Sequence, residues 1–432
     1  MRLPRLVPKD PPPGPARPDF WRSPVRGPWL TAMLGIVLLI GFPIVFVTGV
    51  LSHAAYMPQL GNNDVLPRDL DLQFITFDWP TNPVWLYALN QGAHVTIGIL
   101  LVPVLIAKLW SVIPKLFAWP PAPNAAEVLT KLANLLLVGS AFFQLATGIA
   151  NIQLWYPWQF NFVVAHFYGG WVLIFSILLH VAIRMPKVRA AMRTNKDLKP
   201  LRTNLQNTRP EPYEPHGLVS PNPAPATISR RGVVGLVGAA SGALLVTTVG
   251  QSVGGPLRSL AVLAPRGNGI AKDGPNGFPI NKTAHVANIT SAMVDGTWAL
   301  QLSADGEELE LDRQALLSGK LVPLRTYDLP IACVEGWSTT QSWTGVRLSD
   351  LSRLVGADPG HVLHVESLQP RGAFRQTTLS KNQAHADRSL LALRVNGVDL
   401  SMDHGFPARI IVPALPGVHC TKWVSGLEWS HA

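Results

Sequence analysis

Two histidines, His166 and His180, stand fourteen residues apart in the apolar stretch Asn161 to Arg184. In a helix that separation is ~3.9 turns and ~21 Å, so the two imidazoles share one face at different levels. The stretch is about as long as a bilayer core is thick, ~20 residues. Ionisable groups inside such a helix are costly and face a partner. Either these are hydrogen-bonded bundle histidines, or they ligate two haem irons, one near each membrane surface. A third histidine, His94, lies in G-A-H-V-T-I-G near one end of another apolar run. Other chemistry sits towards the C-terminus, which holds both cysteines, Cys333 and Cys420. In an oxidising compartment two cysteines default to a disulfide. The alternative is a soft thiolate ligand for a metal.

The elements that must position these residues follow from composition. Charged residues make up only 14% and apolar ones 47% of the 432, with 14 Trp. So low a charge fraction points to membrane-embedded segments. The net charge is +10, but its placement excludes a nucleic-acid stripe. Arg2, Arg5, Lys9, Arg17, Arg22 and Arg26 precede the first apolar run; Arg184, Lys187, Arg189, Arg193, Lys196, Lys199 and Arg202 follow the fourth. That is the positive-inside pattern. It predicts a disordered cytoplasmic tail over 1–27, a four-helix transmembrane domain over 28–184 and a cytoplasmic linker over 185–228. Between the first two spans, Asp64, Asp69, Asp71 and Asp78 against Arg68 suit the outer face.

Ser229-Arg230-Arg231 opens a Gly/Ala-rich apolar run, 229–254. It resembles a twin-arginine export signal kept as a fifth span; the alternative is an ordinary fifth helix with a positive flank. Export would place everything beyond about residue 255 outside the cytoplasmic membrane. Residues 270–432 change character. Short alternating runs (TWALQLSA, EELELD, HVLHVES, ARIIVPA) broken by Gly, Asp and Pro predict a mostly β domain with one helix at LSDLSRLVG.

Within that domain the order I-A-C-V-E-G-W-S, S-W-T-G-V-R-L-S-D-L, V-N-G, D-H-G-F-P-A-R-I-I-V-P and C-T-K-W-V resembles the molybdopterin-binding domain of the sulfite oxidase family. The likeness includes the family's bacterial periplasmic methionine-sulfoxide-reductase branch. The resemblance implies that Cys333 binds molybdenum through sulfur. His404, Arg409 and Lys422 would hold the pterin and its phosphate, with Asn281 and Lys282 of G-F-P-I-N-K-T as first pterin contacts. Arg371 and Arg375 of Q-P-R-G-A-F-R-Q would orient an anionic substrate, with Phe374 where the family has a tyrosine. Cys420 takes no role.

The membrane half resembles the b-type cytochrome anchors of formate dehydrogenases and hydrogenases. That likeness implies an outer haem b between His94 and His166, and an inner one on His180. The inner haem's usual first-span histidine is missing: His53 stands at the wrong end. Met33, at the depth of His180, is the stand-in ligand, against the alternative of a packing methionine.

The whole reads as a multidomain protein: an all-α transmembrane four-helix haem bundle, a fifth transmembrane helix, and a mostly β (α+β) molybdopterin domain. The expected function is a membrane oxidoreductase of a bacterial inner membrane. It would carry molybdopterin with molybdenum and at least one haem b, and would couple oxo transfer on a small molecule to membrane quinone. The expected partners are the lipid bilayer, a quinone or quinol and the substrate, with no nucleic acid. The competing reading is a haem-bearing electron-transfer protein whose outer domain is an inactive binder or sensor. A transporter would want broken helices at the midplane, which the sequence lacks.

Overall fold

The computed structural model describes residues 10–56, 77–121, 125–194, 198–214, 217–265 and 274–431. Asp64, Arg68, Asp69, Asp71, Arg2, Arg5, Lys9 and Lys196 lie outside the described residues. The chain forms two compact units. One comprises Met1–Phe46, Ile97–Ala150 and Ala165–Leu245; the other comprises Val47–Thr96, Asn151–Val164 and Val246–Ala432.

Long apolar runs without breaks become helices α1 (Pro28–Tyr56), α2 (Leu86–Leu116), α3 (Ala125–Ile152), α4 (Phe162–Thr194) and α5 (Arg230–Thr248). Among the described residues, five helices are long and apolar enough to cross a membrane. The helical N-terminal region followed by a sheet-bearing α+β part agrees with the architecture expected from the sequence.

In the first unit, α1 buries Leu30, Leu34, Leu38 and Phe42, an i, i+4 stripe. The stripe packs on Leu101, Val104 and Leu105 of α2, Ala141 of α3, Leu173 and Ile177 of α4 and Val233 of α5. Lys108 of α2 is satisfied within the helices: its Nζ donates to the Thr31 carbonyl at 2.5 Å.

The tail expected to be disordered is tied down in its described part, residues 10–27. Arg26 is buried, donates from Nε to the Trp110 carbonyl at 3.1 Å and lies 4.3 Å over the Trp110 ring. A Pro/Arg-rich segment carries no apolar periodicity to signal such packing, because the Arg stem and guanidinium supply the contact. The linker is built in as well: Leu218 and Val219 are buried. Ser229 caps α5 by accepting from Gly232 N at 3.0 Å. Arg230 is buried, donates to the carbonyls of Arg209 (2.9 Å) and Pro24 (3.2 Å) and lies 3.6 Å from Glu211. Arg231 is exposed.

Among the described residues, the second unit holds ten strands. One sheet runs β2-β1-β10-β5-β6, built from β1 (Ala299–Ala304), β2 (Glu307–Asp312), β5 (Val362–Ser367), β6 (Gln376–Leu379) and β10 (Val424–Ser430). Strands β1 and β10 pair in parallel, with Ala304 opposite Trp429; β10 and β5 are antiparallel, with Ser430 opposite Val362. The second sheet runs β3-β4-β7-β8 with β9 on β7: β3 (Leu324–Ala332), β4 (Ser338–Arg347), β7 (Leu390–Val395), β8 (Val398–Asp399) and β9 (Arg409–Ile411). Short helices α6 (Gly250–Val253), α7 (Arg313–Ser318), α8 (Leu348–Leu354) and α9 (Lys381–Ala384) connect them, and α8 is the one expected at LSDLSRLVG.

Alternation gives β1 a buried face, Leu300, Leu302 and Ala304. This unit starts earlier than the composition change near residue 270. Ala54, Ala55, Trp79 and Tyr87 share a core with Leu300, Leu363, Leu393 and Leu427, and Trp79 Nε1 donates to the Ala414 carbonyl at 2.7 Å.

Candidate functional site

Cys333 follows the last residue of β3 and opens a tight loop. Its N donates to the Trp337 carbonyl at 2.8 Å, and Gly336 N donates to the Cys333 carbonyl at 3.0 Å. Gly336 has φ +93°, and a Cβ there would stand 2.9 Å from Val95, so only glycine closes the loop. The loop is pinned from outside: Gln91 Nε2 donates to the Val334 carbonyl (2.5 Å) and Ser252 Oγ to the Gly336 carbonyl (2.5 Å). Glu335 is buried and accepts from Trp337 Nε1 at 3.1 Å. Neither Cys333 nor Cys420 is in a disulfide, so the default pairing of two cysteines does not occur.

Cys333 borders a cleft that Asn281, Trp337, His404, Arg409 and Lys422 also line. Five residues singled out in the sequence, Asn281, Cys333, His404, Arg409 and Lys422, therefore converge from four motifs. Arg409, on β9, is 3% exposed. It donates from Nη1 to the His404 carbonyl (3.1 Å) and from Nη2 to the Cys420 carbonyl (3.2 Å), and lies 5.6 Å over Trp343. Its Nε is buried without a hydrogen-bond partner, as is Thr421 Oγ1. Burial lowers the Arg409 pKa to about 10, which leaves it charged at neutral pH. Lys422 Nζ donates to the carbonyls of Lys282 (2.5 Å) and Asp403 (2.8 Å). Burial pushes its pKa well below the usual lysine range, with Arg409 adding to the effect.

Among the described residues no carboxylate forms an ion pair with Arg409 or Lys422. Buried Arg409, with its orphaned guanidinium N–H, and half-buried Lys422 beside it make an incompletely compensated arrangement. It fits an anionic group with several acceptor oxygens, such as a phosphate. His404 supports this floor. Its Nε2 must donate to the Phe278 carbonyl (3.1 Å), so Nδ1 accepts from the Ser401 hydroxyl (2.8 Å). Burial, and then Arg409, depress its pKa to about 4, so the ring stays neutral and adds no third charge.

The other expected residues fall elsewhere. Lys282 is half-buried beside the cleft and contributes its carbonyl. Arg371 and Arg375 are exposed and do not line it; Arg375 lies 4.0 Å from Glu366 across the β5–β6 edge. Phe374 is half-buried on the same turn. Phe278, Pro279, Ile331 and Gly417 complete the lining and were not singled out, although Phe278 and Pro279 stand in the same G-F-P-I-N-K-T motif. Tyr156, in the turn after α3, had no local signal. Its phenol pKa is raised by burial and then by the nearby Glu335 and Cys333 charges.

The helix histidines are held in a repeated way. His94 Nδ1 lies 3.2 Å from Thr48 Oγ1, and a Cβ at Gly49 would stand 3.0 Å from the same ring. His166 Nδ1 lies 2.9 Å from Thr147 Oγ1, and a Cβ at Gly148 would stand 3.2 Å from that ring. Each imidazole thus rests on a Thr-Gly pair of the preceding helix. Thr147 Oγ1 gives its proton to the Phe143 carbonyl at 2.6 Å, so it accepts from His166 Nδ1–H and the ring's lone pair is on Nε2. His180 Nδ1 lies 3.1 Å from Asn134 Oδ1, an acceptor that selects the same tautomer. That is the form in which an imidazole binds a metal. Met33 is half-buried against the core of the first unit, the position of a packing methionine.

Residues 286–432 match the family described as the oxidoreductase molybdopterin binding domain; Asn281 and Lys282 stand just ahead of the match. The chain is 36% identical over 104 residues to the uncharacterized oxidoreductase YuiH of Bacillus subtilis (strain 168), covering 23% of this chain and 50% of that protein. It is 35% identical over 106 residues to the nitrate reductase [NADH] of Ulva prolifera, covering 22% of this chain and 12% of the relative. Against the mitochondrial sulfite oxidase of Drosophila melanogaster it is 35% identical over 91 residues, 19% and 16% of the two chains. The chain therefore spans half or less of the length of these relatives. The strand-bearing part of this chain is an oxidoreductase molybdopterin binding domain, with sulfite oxidases and nitrate reductases among its relatives.

Proposed function

We propose that the protein is a membrane-bound molybdenum oxidoreductase that carries out oxo transfer on a small molecule at the Cys333 cleft. In this reading it exchanges electrons with haem b in the apolar helices and with membrane quinone. One observation carries the proposal: buried Arg409, whose Nε–H has no hydrogen-bond partner, and Lys422 share a cleft with Cys333, and among the described residues no carboxylate pairs with either cation.

Molybdopterin, when bound, supplies a two-electron oxo-transfer centre, with the Cys333 sulfur as the protein's ligand to molybdenum. Arg409 and Lys422 hold the phosphate, and Thr421 offers a hydroxyl. His404, kept neutral, fixes the Phe278 segment rather than adding charge. The Gly336 loop keeps the Cys333 thiol at one position. Arg371 and Arg375 draw anionic substrate towards the cleft by charge; a Cβ at Gly372, between them, would stand 3.8 Å from Lys282 Nζ.

Haem b, when bound, supplies one-electron transfer, with His94, His166 and His180 as ligands whose Nδ1 atoms are already engaged. Met33 is the inner site's remaining candidate ligand. The protein is placed in the cytoplasmic membrane of a bacterium, with the strand-bearing domain exported through the Arg230-Arg231 signal. The inactive-sensor alternative rests on Phe374, which does not line the cleft, so its identity removes no cleft group.

Cys333→Ser tests the reading. A serine oxygen is a harder, poorer substitute for a thiolate at this metal. Oxo-transfer activity in a panel of sulfoxides, sulfite and nitrate should fall at least ~100-fold while the haem absorption spectrum persists. Turnover equal to wild type would refute the assignment of Cys333.

A further inference from the structure

Sheet β2-β1-β10-β5-β6 gathers three potential metal ligands at one end. Asp305 and Gly306 form the two-residue turn between β1 and β2, with φ +50° and +91°, the conformation a tight hairpin requires. His431 is the residue after β10, and His361 the residue before β5. Because Ala304 pairs with Trp429 and Ser430 with Val362, the register brings the next residue of each strand to the same edge. The side chains meet there. His361 Nε2 lies 3.8 Å from Asp305 Oδ2, and the His361 and His431 rings are 4.4 Å apart between centroids, at 77°. One ligand atom from each of the three lies within 4.8 Å of the others.

A second observation points to a ligand. His361 is 1% exposed, yet neither of its ring nitrogens has a hydrogen-bond partner. A buried imidazole left without a hydrogen bond among the described residues costs free energy. Its neighbours on the open side, Asp305 and His431, are both exposed and offer a carboxylate and an imidazole rather than an apolar lid.

We propose that Asp305, His361 and His431 bind a divalent first-row transition-metal ion, Zn²⁺ in the first instance, separate from the Cys333 cleft. Two imidazoles and a carboxylate are a donor set that suits zinc, with a water in the fourth position. Donors at ~2.1 Å around a tetrahedral ion stand ~3.4 Å apart, so a set that now lies within 4.8 Å must tighten by up to about 1.4 Å. The exposed Asp305 and His431 side chains can make that movement, while buried His361 stays in place. The bound ion would join the β1–β2 turn, the start of β5 and the end of β10, fastening the last strand of the sheet.

The experiment uses the full chain in detergent, stripped with a mild chelator and dialysed against buffered Zn²⁺, with bound zinc counted per chain. Wild type and His364→Ala, a control altered on β5 outside the trio, should each retain about one tightly held ion. His431→Ala should lose it or weaken it at least ~10-fold, and His361→Ala should do the same. His431 is exposed, so its variant tests the site without endangering the fold. Zinc should also raise the thermal midpoint of wild type and not that of His431→Ala. Equal zinc retention in wild type and in the His361→Ala/His431→Ala double variant would overturn the proposal.

Discussion

At the scale of single residues, the cleft joins cations that form no ion pair among the described residues to a histidine that stays uncharged. His419 repeats the same device within the same unit. It is wholly buried; its Nε2 donates to the Tyr56 carbonyl at 2.9 Å, and its Nδ1 accepts from the Thr377 hydroxyl at 2.8 Å. Burial depresses its pKa to about 4, against ~6.5 in the unfolded chain. A depressed histidine contributes stability that is fully present above the unfolded pKa and is lost as pH falls towards the folded one. We therefore expect the thermal midpoint of the strand-bearing part to drop as pH falls from about 6.5 towards about 4. Replacing His419 by Gln should flatten that decline by roughly one proton's worth, measured by near-ultraviolet circular dichroism in detergent. An unchanged pH slope in the variant would show that His419 does not drive the decline.

At the scale of elements, the Thr-Gly pairs of α1 and α3 matter most. Thr147 sets the tautomer of His166, and Gly148 leaves room for its ring. Thr147→Val removes the acceptor but keeps the volume, so haem should remain with an altered spectrum and a shifted reduction potential. Gly148→Val forces side-chain atoms against the ring and should reduce haem content by more than half. Haem content and potential unchanged in both variants would mean that the pairs only pack.

These pairs were not legible in the sequence, because Thr and Gly are ordinary residues inside an apolar helix. The five helices were legible, since an unbroken apolar run of ~20 residues is the length that crosses a bilayer core. Cys333, His404, Arg409 and Lys422 were readable because their motifs are local. Trp79 was not, as its partner lies far along the chain: it reaches the Ala414 carbonyl across 335 positions. Arg371 and Arg375 stand exposed at the β5–β6 edge, a placement that their motif alone does not give.

At the scale of the whole molecule, Arg230 and Arg231 divide the work of one dipeptide. Arg230 is buried against Glu211 and two carbonyls, so changing it harms the helical unit whatever the export route. Arg231 is exposed, so its replacement leaves the packing of the helices undisturbed. Arg231→Lys should leave the helices and haem intact and cut delivery of the strand-bearing domain several-fold, scored by protease access in spheroplasts. Normal delivery would make α5 an ordinary span with a positive flank.

Central to the proposed function is an Arg409–Lys422 pocket beside Cys333 built around an anionic molybdenum cofactor. Molybdenum and released pterin, counted per chain in the purified full-length protein, test it most directly when wild type is compared with Arg409→Met, which keeps bulk and removes the charge. We predict about one molybdenum and one pterin per wild-type chain, falling at least ~10-fold in Arg409→Met, with the haem spectrum unchanged. Wild-type protein from a cofactor-producing host that holds neither, or an Arg409→Met variant that holds both undiminished, would contradict it.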